Sequence, residues 1–481
     1  MTVRKALAYS YAEKYGSYVL GLLSTMVISR LLGPAEIGVF SIGMALVGIA
    51  GVIREFGLST YLVQEVDLSD KRIRAAFTVA ITLGVGLSLV VLALSVVAGH
   101  FYTDPNVTSV IAILALNFVL TPFGSISQAL LVRELRFSTL TWIRLLVGLV
   151  QAVSAIVLSA LGLGPQSLAW AAVLASLANS LISIAMRPHP MRPTFFVSDM
   201  RRVVTVGRSA AAINIVDEII NSLPELVLGR IQSVAAAGLF SRARGMSQMA
   251  YQLFARAAGP VFFSVFSEHY RTGVHPTPLY LRATSCVTAI GWAGLAILGV
   301  LSEPVVRVLF GVNWLAVVPL MRLLSIAAAI SLLTSGSHHL LLACGGARDV
   351  FQAKLTALPV QAVSMIAGAA FGAEWMSIAM VLSSAYASLL LALAVRRRLA
   401  ISLRQQLAPA FESAPIMLAS AVGASLALAF MTPESPIGAM VQLAAGGTTA
   451  FLMAGASLLV VPHPLRDEAR LMINRLRKAK Q

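Results

Sequence analysis

A chain of 481 residues that is 58% hydrophobic and 12% charged, with a mean hydropathy of +0.84, cannot keep a wettable surface around a soluble core. Lipid is its main solvent. A net charge of +16 and an isoelectric point near 10.5 would point a soluble protein toward nucleic acid, so the placement of the charges decides what they mean.

In hydrocarbon a helix closes its own backbone hydrogen bonds, and about 20 apolar residues cross the bilayer. In chain order such stretches lie near 16–32, 37–60, 76–99, 107–132, 139–162, 166–186, 209–229, 234–266, 281–301, 315–343, 355–373, 375–395, 411–431 and 437–461. The pattern predicts an all-α, polytopic membrane protein of about 14 transmembrane helices. Connecting segments alternate in charge. One set holds Arg4, Lys5, Lys14, Lys71, Arg72, Arg74, Arg133, Arg136, the cluster from Arg187 to Arg208, Arg271, Arg282, Arg348, Lys354, Arg396 to Arg398, Arg404 and the tail from Arg466 to Lys480; the other holds Arg30, Arg230 and Arg307. This positive-inside alternation explains the basic charge without nucleic acid and predicts cytoplasmic termini.

The first stretch lacks a small-residue cleavage site and reads as a retained span. Loops on the sparsely charged side, such as HFYTDPN and GLGPQS, are too short for a folded domain. Cys286 and Cys344 lie in apolar helices without CxxC spacing and read as small core residues, so neither a disulfide nor a metal site is expected.

RLLGPAEIGVFS, from Arg30 to Ser41, is echoed by RIQSVAAAGLFS, from Arg230 to Ser241. Arg, Gly38/Gly238, Phe40/Phe240 and Ser recur at identical spacing, and Arg54-x-x-Gly57 is echoed by Arg256-x-x-Gly259. Six helices separate the copies. An even offset preserves orientation, so the repeats are expected to be parallel, with an axis along the membrane normal and a cavity between them. This predicts an N-terminal lobe over 1–186, a basic linker over 187–208 and a C-terminal lobe over 209–395.

Each charge at bilayer depth costs about 2.5–3.5 kcal/mol on insertion scales, so those that persist there point to a use. The seventh helix carries Asn214, Asp217, Glu218, Asn221 and Glu225 on one broad face beside Pro224; the eighth carries Arg242, Arg244, Gln248, Tyr251, Gln252 and Arg256. Two readings stay open. Asp217 and Glu218 pair with Arg244, and Glu225 with Arg242, merely to fasten the two helices, or these acids form a proton or cation site coupled to transport. Arg54, Arg144 and Arg322 add cations elsewhere, and Arg outnumbers Lys about five to one. Its planar fork suits pyrophosphate, so an anionic ligand is the simplest inference; for Arg144 snorkelling to headgroups is the rival reading, and His338 and His339 read as satisfied intrahelical groups. No Walker A sequence, dinucleotide fingerprint, HExxH or nucleophile elbow occurs, so no cofactor and no enzymatic reaction are expected.

SRLLGPAEIGVFSIG, IREFGLSTYLVQE, LFGVNWLAVVPLMRLL and LLACGGARDVFQAK together resemble the polysaccharide transporter family, the Wzx-type flippases of the multidrug/oligosaccharidyl-lipid/polysaccharide superfamily. The resemblance implies two six-helix lobes around a central cavity, with two peripheral helices and a basic tail over 396–481. It also implies a multi-pass protein of the bacterial inner membrane that flips undecaprenyl-diphosphate-linked oligosaccharide to the periplasmic leaflet for exopolysaccharide, capsule or O-antigen assembly. Membrane lipids and the polysaccharide polymerase or export machinery are the partners implied. Arg54, Arg244, Arg256 and Arg322 are the residues expected to hold pyrophosphate or acidic sugars. A lipid II flippase and a multidrug/cation antiporter are the alternatives; a membrane glycosyltransferase or polymerase is disfavoured because no sizeable aqueous loop carries acidic residues.

Overall fold

The computed structural model describes residues 3–55, 58–65, 68–187, 200–430 and 436–468, except the side chains of 3–12, 59, 60, 64, 200–213, 256–261 and 436. Most of the linker, and the tail beyond 468, lie outside the described residues. Every regular element described is helical: α1 (Val3–Leu31), α2 (Pro34–Glu55), α3 (Leu58–Gln64), α4 (Asp70–Phe101), α5 (Asn106–Arg133), α6 (Phe137–Ala160), α7 (Gln166–Ala185), α8 (Met200–Ile231), α9 (Val234–Arg271), α10 (Thr277–Val300), α11 (Ser302–Leu309), a 3-10 turn (Val312–Trp314), α12 (Val317–Leu333), α13 (Ser335–Ala343), α14 (Ala347–Phe371), α15 (Ala373–Leu399), α16 (Leu403–Phe430) and α17 (Pro436–Val460).

Eleven stretches among the described residues are long and apolar enough to cross a membrane, α12 and α13 together counting as one. The other three expected spans, α1, α8 and α9, have 29, 32 and 38 residues, ample length at 1.5 Å per residue, but carry several charges each. Large apolar side chains such as Leu89, Val97, Phe371, Phe430 and Phe451 are more than half exposed, as lipid-facing residues are. The chain is a multi-pass membrane protein.

Between α2 and α3, residues 56 and 57 lie outside the described residues, so the expected stretch 37–60 is described only on either side of them. One boundary differs from the sequence reading. The stretch 315–343 breaks at Thr334, where hydroxyls engage carbonyls of the preceding turn: Ser335 Oγ donates to Leu332 O at 2.8 Å, and Thr334 Oγ1 donates across to Ser388 Oγ on α15 at 3.0 Å.

The LGP-x-E segment is a helix start. Pro34 occupies the first position of α2, where its missing N–H costs nothing, and the Glu36 carboxylate reaches back to accept from Gly33 N at 2.7 Å. In the second copy Ser233 does the capping, its Oγ accepting from Ala236 N at 3.1 Å. Different chemistry starts α2 and α9 at equivalent positions.

Residues 1–238 and 239–481 form two compact units. In the first, α2 packs on α5 and α8, α4 on α5, α7 on α5 and α6, and α1 on α6. Its core gathers Tyr61, Leu62, Ile73, Phe77, Ile126 and Leu130. By packing, α8 and the first turn of α9 belong to this unit. In the second unit α10 packs on α12 and α16, α14 and α12 on α15, and α16 on α17, with Phe266, Tyr280, Leu340 and Val395 in its core.

At the end of the first unit away from its basic loops, the two sequence repeats meet. A Cβ on Gly38 would overlap the carbonyl oxygen of Val234, and a Cβ on Gly238 would overlap that of Pro34. Pro34 and Val234 each stand four residues before the glycine of their own repeat. The contact is reciprocal, each glycine facing a backbone carbonyl four residues before the other.

Candidate functional site

The basic end of the first unit contains a cavity of about 490 Å³. One wall is a face of α5 in which Thr121, Ser125, Gln128 and Val132 recur at helical spacing. Gln128 Nε2 donates to Asn179 Oδ1 on α7 at 2.6 Å and to Ser183 Oγ, one turn further along α7, at 3.3 Å. Gly124 makes room for this ladder, since a Cβ there would lie 2.8 Å from Asn179 Nδ2.

Two guanidinium groups line the same cavity. Arg54, in the last turn of α2, lies with Cζ 5.7 Å from the Phe118 ring centroid, and its Nη2 is 3.7 Å from Glu55 Oε1. The Glu55 side chain is 78% exposed, so water screens that pair and leaves Arg54 able to meet another anion. Arg144, on α6, reaches Glu13 of α1 at 2.7 Å. Arg133, nearby, is engaged structurally: its Nη1 donates to the carbonyls of Leu62 at 3.0 Å and Glu65 at 2.6 Å, closing the end of α3. The cavity therefore offers planar cationic donors beside neutral amides and hydroxyls, a set suited to a phosphate or carboxylate joined to sugar hydroxyls.

The other expected residues are distributed over both units. In the first, Glu218 of α8 rests against Gly48 of α2 and accepts from Ser222 Oγ at 3.3 Å; Glu225 is 7% exposed, and both it and Asp217 are engaged in polar contacts. In the second, Arg242 lies over the Trp314 ring at 5.8 Å, its buried Nε meeting no acceptor among the described residues. Trp314 owes its place to the LFG segment: Gly311 takes φ +94°, a left-handed turn that folds the 3-10 residues back, and Phe310 packs edge-on to the indole at 6.1 Å. Arg322 Nε donates to Ser302 Oγ at 3.0 Å, Arg244 is half-buried and engaged, and the side chain of Arg256 lies outside the described residues. The structure thus joins Arg54 with Arg144, and Arg242 with Trp314. Gln128, Asn179 and Ser183 were not singled out from the sequence.

Residues 27–319 match the family described as polysaccharide biosynthesis protein. The chain belongs to that family. It is 23% identical over 321 residues to the lipopolysaccharide biosynthesis protein WzxC of Escherichia coli K12, covering 65% of this chain and 64% of WzxC. It is 24% identical over 336 residues to the succinoglycan biosynthesis transport protein ExoT of Rhizobium meliloti, covering 68% of this chain and 67% of ExoT. Among solved structures, the lipid II flippase MurJ in an inward closed conformation superposes with a TM-score of 0.72 at 14% identity, covering 94% of this chain and 98% of MurJ. At that identity the likeness establishes the fold, and this member of the polysaccharide biosynthesis family shares it.

Proposed function

We propose that this protein flips a diphosphate-linked oligosaccharide on a polyprenyl carrier from the cytoplasmic to the outer leaflet of the bacterial inner membrane. The lipid tail stays in the bilayer while the head group passes through the protein. The observation that carries this reading is the cavity at the basic end, where Arg54 and Arg144 stand beside the Gln128–Asn179–Ser183 ladder in a family of polysaccharide biosynthesis proteins. The guanidinium groups take the diphosphate or a sugar acid, and the amides take sugar hydroxyls. Both termini lie in the cytoplasm, so this cavity opens to the side where the lipid-linked unit is assembled.

Arg244, Arg256 and Arg322 supply further cationic contacts along the path. Asp217 and Glu218 form the coupling site if transport draws on an ion gradient, with the buried Glu225 of the same helix supporting them. The protein performs no covalent chemistry and needs no cofactor; it hands its cargo to a polymerase or export assembly.

The test is lipid extraction and mass spectrometry in a strain lacking the protein, complemented with wild type, Arg54→Gln or Arg144→Gln. Accumulation of a lipid-linked repeat unit with loss of polymer, relieved by wild type and not by Arg54→Gln, is expected. Accumulated lipid II would indicate the murein precursor instead. Unchanged lipids with new sensitivity to cationic dyes would overturn the reading in favour of drug export. For coupling, Asp217→Asn and Glu218→Gln should remove gradient dependence while leaving binding; dependence retained in both would sink that assignment.

A further inference from the structure

A second cavity, of about 510 Å³, lies at the opposite end of the first unit, beside the contact between the repeats. The α4–α5 turn forms one wall, from Phe101 to Pro105. Ala35 of α2 and the α8–α9 turn, from Gly229 to Ala235, form the other. Its volume is in the range of small-molecule sites, roughly 300–1,000 Å³. Three cations mark the sparsely charged side of the sequence: Arg307 is paired with Glu303 at 2.9 Å and Arg30 is engaged in a polar contact. Arg230 differs. Its guanidinium lies 5.0 Å over the Phe101 ring, and among the described residues no acceptor meets its N–H groups.

The other polar groups make the cavity selective. Asp104 Oδ1 accepts from Asn106 N at 2.9 Å and Asn106 Nδ2 at 3.0 Å, capping α5, so its second oxygen remains to accept from a ligand hydroxyl. Ser233 Oγ accepts in capping α9 and keeps its own O–H to donate. Tyr102 is structural: its hydroxyl donates to Leu226 O at 3.1 Å, and burial pushes its phenol up to about 12, so it stays protonated and ties α4 to α8. A fixed carboxylate next to the cation repels a small, highly charged anion and welcomes a ligand that brings both a negative group and hydroxyls.

We propose that this cavity binds an acidic sugar residue presented at the outer face, its carboxylate on Arg230 and its hydroxyls on Asp104 and Ser233. The outer placement rests on the flippase reading and its topology. Because the ligand touches both walls, it binds the form in which the Gly38 and Gly238 backbones are in contact, and by linkage it favours that form. The site acts on a glycan that has already crossed or stands outside, holding this end shut.

The test is calorimetric titration of the full-length protein, in phosphatidylcholine nanodiscs, with a galacturonic acid trisaccharide, a neutral galactose trisaccharide and inorganic phosphate. Binding of the acidic trisaccharide at least about tenfold tighter than the other two is expected, with a loss of about tenfold in Arg230→Gln and partial recovery in Arg230→Lys. Gly38→Ala should weaken it as well. Equal affinity for the neutral sugar or for phosphate, or an Arg230→Gln protein that melts normally and binds as wild type, overturns the site; unchanged affinity in Gly38→Ala overturns its dependence on the closed contact. Arg54→Gln separates the two readings: it should abolish flipping yet keep outer binding, whereas a wild-type protein that binds the acidic sugar but flips no lipid would sink the flippase reading alone.

Discussion

Replacing Gly38 by alanine should shift the first unit toward a state in which the repeats have parted. In the form described, the added methyl would overlap the Val234 carbonyl oxygen, a backbone atom that cannot rotate away. Overpacking of this kind costs roughly 1–3 kcal/mol. Alanine also gains about 0.8–1.0 kcal/mol of helix propensity over glycine, but that gain applies whether the contact is made or broken. The difference between the two forms is therefore the overpacking alone, a bias of about 5- to 150-fold. The assay is a cysteine in place of Ala35, which lines the outer cavity, in a background with Cys286 and Cys344 replaced by alanine. Its labelling by a membrane-impermeant maleimide on intact cells should accelerate in Gly38→Ala and in Gly238→Ala. The double variant should gain less than the product of the two, because both methyls strain one shared contact. Unchanged labelling in both single variants would refute the argument, and strictly multiplicative rates would show two separate contacts.

Asn179→Ala removes the 2.6 Å partner of Gln128 and should lower stability by about 0.6–1.7 kcal/mol, the range for polar contacts between membrane helices, in a denaturant titration in detergent. Trp314→Ala should cost about 3–5 kcal/mol by emptying a fully buried site, while Trp314→Phe, which keeps a ring under Arg242, should cost visibly less in the same titration. His463, after α17, is 4% exposed; Leu465 N donates to its Nδ1 at 3.0 Å, so its Nε2–H faces Ser413 Oγ at 3.4 Å. Burial holds its pKa below the usual 6.5, against a smaller upward pull from Glu412. Its stabilising contribution is then full above pH 6.5 and is lost as pH falls through the lowered value. Thermal melting should show a drop between pH 7.5 and 5.5 that His463→Asn reduces.

The apolar runs and alternating loops made the helical membrane fold legible, because hydrocarbon permits few backbone solutions. The glycine repeat was legible as well, and the structure gives it a physical meaning as a reciprocal backbone contact. Less readable was the break at Thr334, where side-chain hydroxyls interrupt a stretch whose hydropathy runs on unbroken. The candidate site divided in the same way. Arg54 stood out as a costly charge, whereas Gln128, Asn179 and Ser183 carry no charge and meet only across 51 and 55 residues of chain. A signal existed in the i, i+4, i+7 placement of Thr121, Ser125 and Gln128 within an apolar helix, matched by Asn179 and Ser183 one turn apart. Trp314 likewise looked like a family signature before it could be recognised as the floor beneath Arg242.

The contact between the repeats also bears on which substitutions each side of it tolerates. Each glycine abuts a carbonyl oxygen, an atom that every amino acid carries, so the partner position is free to become proline in one copy and valine in the other. The glycines have no such freedom, since any side chain there meets the opposite backbone. The contact thus constrains two small residues 200 positions apart far more tightly than the residues they touch.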